Sequence, residues 1–340
     1  MRSAAGNWTR LADDELLDLR LCDLRLRLAD SEVQPRIRRL YRELAARGIA
    51  FRPHAWLAED WFSPDGVPGF AVPFYLAHPR LTRLERKMTG IAEGSNANWQ
   101  MRILRHEAGH AIDSAYRLRR RARWRALFGP ASRRYAAQYR ARPASRRHVQ
   151  HLGEWYAQAH PTEDFAETFA VWLQPRSGWR KNYAEWPAFH KLSVVDELLS
   201  SISGQRPPVR NRLRIEPIED NSRTLEQHYR RRLARNRQYR RGLADDLLRR
   251  IFTAEPLRKG AMRAASLLRS RKSVLVGGVA RALGTERYSV QQILRMLIDR
   301  CDTLNLHVRG SRREALRHSR WMLERVVSLY SQGETPLLPL

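Results

Sequence analysis

Apolar positions along the chain fall into a few recurrent spacings, and each predicts an element. The clearest run is Trp99, Met101, Ile103, Leu104, Ala108, Ala111, Ile112 and Ala115, whose helical spacing predicts a buried helix through residues 106–110. Upstream, Asp13, Asp14 and Glu15 place acids in a first helical turn, ahead of Leu16, Leu17, Leu19, Leu21, Leu24, Leu26 and Leu28. A second helix is predicted over 33–47, carrying Ile37, Leu40, Tyr41 and Leu44 and stopping at Gly48. Two strand-like runs follow, 49–57 and 69–76, separated by the turn residues Ser63, Pro64, Asp65 and Gly66. Pro73 cannot donate to a ladder, so the second run reads as an edge strand, able to hold an extended peptide by main-chain hydrogen bonds.

Residues 116–147 read as an Arg-rich helical stretch with Leu118, Trp124, Leu127 and Phe128, broken at Gly129-Pro130 and presenting a solvated amphipathic face. Pro161 and Thr162 before Glu163-Asp164 mark another helix start, with Phe165, Phe169, Val171, Trp172 and Leu173 as its packing face. A helix over 192–202 ends at Gly204, and Gln205-Arg206-Pro207-Pro208 reads as a linker. From Thr224 onward helices are predicted over 225–239, 243–252, 261–268, 288–304 and 311–330, punctuated by Arg230-Arg231-Arg232 and Arg240-Arg241. The short apolar run 274–279 fits either a strand or a helix start, and its glycine spacing excludes a phosphate-binding loop. The expected organisation is a domain over 1–205, a linker over 206–223, and a basic helical region over 224–340.

Composition changes this picture modestly. The formal charge is +28, which ordinarily raises nucleic acid as a partner. All but five of the 63 basic residues are arginines, a bias that a GC-rich genome also produces at solvated positions. Nucleic acid is therefore not the favoured partner. Cys22 and Cys301 stand far apart, in no disulfide framework and no Cys-based zinc spacing. The first ten residues lack an apolar signal core and no run approaches a membrane span, so the expectation is a soluble cytoplasmic protein without a membrane partner.

The chemistry sits in His106-Glu107-Ala108-Gly109-His110. On a helix, residues four apart share a face, so His106 and His110 aim their imidazoles at one point. Neutral imidazoles suit Zn2+, and the adjacent Glu107 can act as a general base and acid toward the attacking water. Gly109 lets another backbone approach the helix. A third protein ligand is required. Between Glu107 and Glu154 the only acid is Asp113, so the ligand must come from further on. Among Glu154, Glu163, Asp164 and Glu167, the pair Glu163 and Glu167 shares one helical face. Glu163 is taken as the ligand and Glu167 as the acceptor of a ligand histidine's N–H. Asp113 is placed either to steady a ligand or as a solvent-facing acid. His148, His151, His160 and His190 read as solvated, with His160 the reserve ligand.

His-Glu-Ala-Gly-His-Ala-Ile-Asp followed by Tyr156 and Glu163-Asp164-Phe165-Ala166-Glu167-Thr168-Phe169 resembles the lethal-factor-type gluzincins. It is still closer to a bacterial family described as zinc-binding metallopeptidases. The resemblance is specific over 99–173, extends more loosely over 11–205, and is absent beyond. It implies that His106, His110 and Glu163 ligate one Zn2+ per chain, that Glu107 is the general base and acid, and that Tyr156 donates to the oxyanion. Read from the residues alone, Tyr156 is as well explained as a core aromatic beside Trp155.

The fold class expected is therefore α+β: a zincin-like metallopeptidase domain with a small edge-stranded sheet, followed by a mostly α-helical basic C-terminal region that is available to a protein partner. The expected substrate is a protein or peptide. Two other readings use the same residues. One is a protease acting on nucleic-acid-bound proteins through the Arg-rich surface. The other is a zinc-stabilised binding module without catalysis.

Overall fold

The leucine-rich segment near the N-terminus is helical only over Asp13–Leu17 (α1). Beyond it the backbone pairs with a segment two hundred residues away: Leu21 N–H donates to Arg223 O at 2.9 Å, Cys22 N–H to Asn221 O at 3.0 Å, and Leu225 N–H to Leu19 O at 2.9 Å. Short 3-10 turns at Leu21–Leu24 and Leu28–Asp30 replace the helix that the leucines suggest. Alternation at Leu17, Leu19 and Leu21 is a strand-like period, and long-range pairing exploits it.

The computed structural model describes residues 8–238, 243–256, 260–331 and 338–339; Arg240, Arg241 and the first seven residues lie outside them. The described chain is mostly helical with small two-stranded sheets. It divides into two units. Among the described residues, the first comprises those within 8–134, 147–152 and 160–235, and the second those within 135–146, 153–159 and 236–339.

In the first unit, α2 (Gln34–Ala45) buries Ile37, Leu40 and Leu44 and is followed by Gly48 at φ +75°. Strand β1 (His54–Ala58) pairs in parallel with β2 (Gly69–Pro73), from His54↔Gly69 to Ala58↔Pro73. On its other side β2 meets Phe62, with Ala71 N–H donating to Phe62 O at 2.8 Å. The expected free edge of the second run is thus occupied at Ala71, and Pro73 stands at the strand's last position, where its missing N–H costs least. After β2 the chain turns through a 3-10 segment, Phe74–Ala77, into α3 (Pro79–Thr89), whose first turn is capped by His78.

Helix α4 (Ala97–Tyr116) carries the His-Glu-x-x-His residues; Asn96 caps it by accepting Trp99 N–H at 3.0 Å. It is buried along most of its length and packs on α2, on β2 and on α6 (Pro161–Leu173), every residue of which is buried. Between them, α5 (Ala122–Phe128) ends at Gly129, φ +97°, and the helical stretch does not continue past Gly129-Pro130. Trp124 and Phe128 of α5 lie against Phe165 of α6, so part of the Arg-rich stretch is core rather than a solvated face. Arg105 on α4 donates to both oxygens of Glu43 on α2, at 2.7 and 2.8 Å. The pair is buried one residue before His106, and a lone partner there costs roughly 3–5 kcal/mol.

Helix α8 (Ala188–Ser200) packs on α6, and the short α7 (Trp179–Asn182) packs on α8. Residues 205–215 run along the unit: Val209 N–H donates to Ala115 O at 3.1 Å, and Trp56 Nε1 to Ile215 O at 3.0 Å. Helix α9 (Leu225–Gln238) contributes Leu225 and Tyr229 to the same core.

The second unit contains β3 (Gln138–Tyr139), helix α10 (Leu243–Ile251), β4 (Phe252–Thr253), α11 (Ala264–Ser270), α12 (Lys272–Leu283), α13 (Arg287–Thr303), β5 (His307–Val308), α14 (Arg312–Ser331) and β6 (Leu338–Pro339). Its core joins Leu248, Leu268, Val279, Ile293, Leu297 and Met322. The apolar run 274–279 lies inside α12, which closes at Gly284 in the left-handed conformation. No described helix is long and apolar enough to cross a membrane.

Candidate metal centre

Two helices bring the site together because one of them has a glycine where they cross. A Cβ built on Gly109 of α4 would lie 2.9 Å from the Cα of Ala166 on α6. With hydrogen in that place the backbones approach closely, and the side chains three residues before and one residue after the crossing on each helix meet. His106 and His110 project from α4; Glu163 and Glu167 project from α6.

His106 Nε2 lies 3.0 Å from Glu163 Oε2, and His110 Nε2 lies 3.1 Å from the same oxygen and 3.1 Å from His106 Nε2. The other nitrogen of His106, Nδ1, lies 2.9 Å from Glu167 Oε1. A carboxylate there accepts, so the proton belongs on Nδ1 and the Nε2 lone pair turns toward Glu163. The second oxygen of Glu167 accepts Leu152 N–H at 2.8 Å, which fixes the carboxylate. Leu152 is held nearby because His151 bonds to Arg102 O at 2.9 Å through Nε2.

Three lone-pair atoms therefore converge on one point, and they repel unless positive charge stands between them. Four ligands at about 2.0–2.1 Å in a tetrahedron are spaced about 3.3 Å apart, close to the separations seen here. Two imidazole nitrogens and one carboxylate oxygen are a donor set that zinc takes. Among the described residues this is the one group of three or more His, Cys, Asp or Glu side chains placed to hold a metal ion.

Without an ion the same attraction falls on protons. Burial disfavours charge on His106, yet its hydrogen bonds to Glu163 and Glu167 hold its pKa well above the ordinary histidine value. Burial likewise opposes ionisation of Glu163, and His110 and His106 overcome it, keeping the carboxyl well below its usual range. Glu167 is lowered despite burial by His106 and His151. Glu107 goes the other way: burial raises its pKa, against the pull of the neighbouring histidines and Ser63.

The structure places the remaining candidates as follows. Glu107 is buried on α4, and its Oε2 accepts Ser63 Oγ–H at 2.9 Å. Asp113, fully buried, accepts Arg119 N–H at 2.7 Å and Arg119 Nε–H at 2.5 Å; it does not face solvent. Tyr156 belongs to the second unit, in the 3-10 turn Tyr156–Gln158, with its ring edge-on to Tyr139 at 6.4 Å. His160 is buried rather than solvated, and caps α6 by accepting Thr162 N–H at 3.3 Å. His151 is also buried rather than solvated, and burial pushes its pKa down to about 4. His148 is half-buried near Asp164, and His190 is exposed. Ser63 and Arg119 carry no sequence signal: one is an ordinary turn residue and the other one arginine among many.

A buried His-His-Glu centre on crossing helices, with a glutamate beside the first ligand, defines a candidate zinc site of the HExxH kind. Residues 101–183 match the protein family described as "Putative zinc-binding metallo-peptidase", a span that includes both α4 histidines and the α6 glutamates. No curated protein and no solved structure matches the chain.

Proposed function

We propose that the protein is a zinc-dependent peptidase of zincin-like fold, with His106, His110 and Glu163 holding one Zn2+ per chain. The observation that carries this reading is the 3.0–3.1 Å convergence of His106 Nε2, His110 Nε2 and Glu163 Oε2 beside Glu107. Bound there, zinc would supply Lewis-acid polarisation of a carbonyl and acidification of water.

The chain's own residues do the rest. Glu107 takes the proton of the attacking water and passes it to the departing amine, and its upward-shifted pKa suits a group that must both accept and release a proton. Glu167 holds the His106 ring in the tautomer that leaves Nε2 free to bind. The substrate class is a protein or peptide, and the basic helical region after residue 223 is an accessory to the peptidase part.

The test is cleavage of a mixed fluorogenic peptide library by the zinc-loaded full chain and by Glu107→Gln. Hydrolysis in wild type that falls at least a hundredfold in the variant, with zinc retained, is expected. Equal cleavage by both, or none by a zinc-loaded wild type, would overturn the reading.

A further inference from the structure

We propose that Ser63 is a positioning residue for Glu107, holding its carboxylate in register with the metal centre. The inference rests on the peptidase reading for its kinetic consequence, but on geometry for its statement. Ser63 Oγ lies 2.9 Å from Glu107 Oε2 and 3.1 Å from Glu107 O. A hydroxyl has one proton, and an ionised carboxylate is the stronger acceptor, so the proton goes to Oε2. Among the described residues Ser63 is the only hydrogen-bond partner of that carboxylate. Beyond packing, that one donor is what orients the buried carboxylate.

The loop that carries Ser63 is itself fastened. On its N-terminal side, Phe62 O accepts Ala71 N–H from β2. On its C-terminal side, Asp65 Oδ1 accepts Arg119 Nη1 at 2.5 Å, and Arg119 in turn donates to the fully buried Asp113. Asp113 and Glu107 lie on the same helix, α4. The loop is therefore tied to α4 twice, once through Ser63–Glu107 and once through Asp65–Arg119–Asp113. Asp113 anchors the α4 end of the second tie, whose Asp65 end is exposed. Asn211 adds a further tie, away from α4, donating to Gly66 O at 3.1 Å.

A structural hydroxyl and a positioning hydroxyl differ in what their removal changes. Ser63→Ala and Ser63→Thr are compared with wild type for zinc content, for kcat and KM on fluorescein-labelled casein, and for acetohydroxamic acid affinity by calorimetry. A hydroxamic acid gives up a proton as it binds zinc, and a well-placed carboxylate receives it. This last measurement needs no peptide hydrolysis. Expected are one zinc per chain throughout, a fall in kcat of about tenfold to a hundredfold in Ser63→Ala with KM within about twofold, weaker hydroxamate binding, and recovery of both in Ser63→Thr. Unchanged kcat and hydroxamate affinity in Ser63→Ala, or an equal loss in Ser63→Thr, would overturn the proposal. A wild type that cleaves no casein but shows the serine-dependent hydroxamate binding supports the positioning role and counts against the peptidase reading instead.

Discussion

Gly109 and Ala166 lie so close that the crossing of α4 and α6 has no room for a methyl group: a Cβ on the first would stand 2.9 Å from the Cα of the second. That contact sets the distance between the helix bearing two histidines and the helix bearing Glu163 and Glu167, and hence the size of the site. Gly109→Ala gains about 1 kcal/mol of helix propensity, but the neighbour it strikes is backbone, which yields poorly. The net expectation is a loss of about 1–2 kcal/mol in urea unfolding together with weaker zinc binding. A variant more stable than wild type would show that the crossing is looser than it looks.

Glu167 hydrogen-bonds to one candidate ligand, His106, and to the Leu152 backbone. Glu167→Ala leaves His106 Nδ1 and Leu152 N–H without their acceptor. Zinc affinity measured by competition with a chromogenic chelator should fall about 10–100-fold, with stoichiometry still one per chain at saturating metal. An unchanged affinity would mean that the His106 ring is oriented by packing alone.

Acid sensitivity should appear away from the site as well. Burial works to raise the pKa of Glu59, but hydrogen bonds from His228 and Asn221 and the nearby Arg223 bring it down to about 2. A folded-state pKa below the unfolded value means stabilisation that is full above the ordinary carboxylate range and is lost as pH falls through about 4.5 toward about 2. Unfolding of wild type and Glu59→Gln by urea should therefore differ most at neutral pH and converge across that window. A gap that stays constant down to pH 3 would contradict it.

Much of the site was legible because it depends on spacing within helices. The i,i+4 rule put His106 with His110 and Glu163 with Glu167, and the lack of acids between Glu107 and Glu154 other than Asp113 pointed to the later helix for a third candidate ligand. Gly109 was legible for the same reason, as a missing Cβ in an otherwise apolar helix. What escaped depends on partners distant in sequence. The leucines at 17–28 carry enough apolar residues for a helix, yet Arg223, Asn221 and Leu225 draw the backbone into pairing instead. Ser63 reads as a turn residue because nothing local records that Glu107 lies opposite. His151 and His160 read as solvated because their acceptors and donors, Arg102 O and Thr162 N–H, are backbone groups that sequence leaves anonymous. Trp124 and Phe128 are two of the few large apolar residues in an arginine-rich segment, and it is distant partners such as Phe165 that make them core.

The most direct test of the central claim is bound metal, by elemental analysis of purified wild type, Glu107→Gln and Glu163→Ala, with unfolding followed alongside. One zinc per chain in wild type and Glu107→Gln, lost or greatly reduced in a folded Glu163→Ala, is the expected result. Full zinc retention in Glu163→Ala, or a well-folded wild type that binds none from zinc-supplemented buffer, would contradict the ligand set and the chemistry built on it.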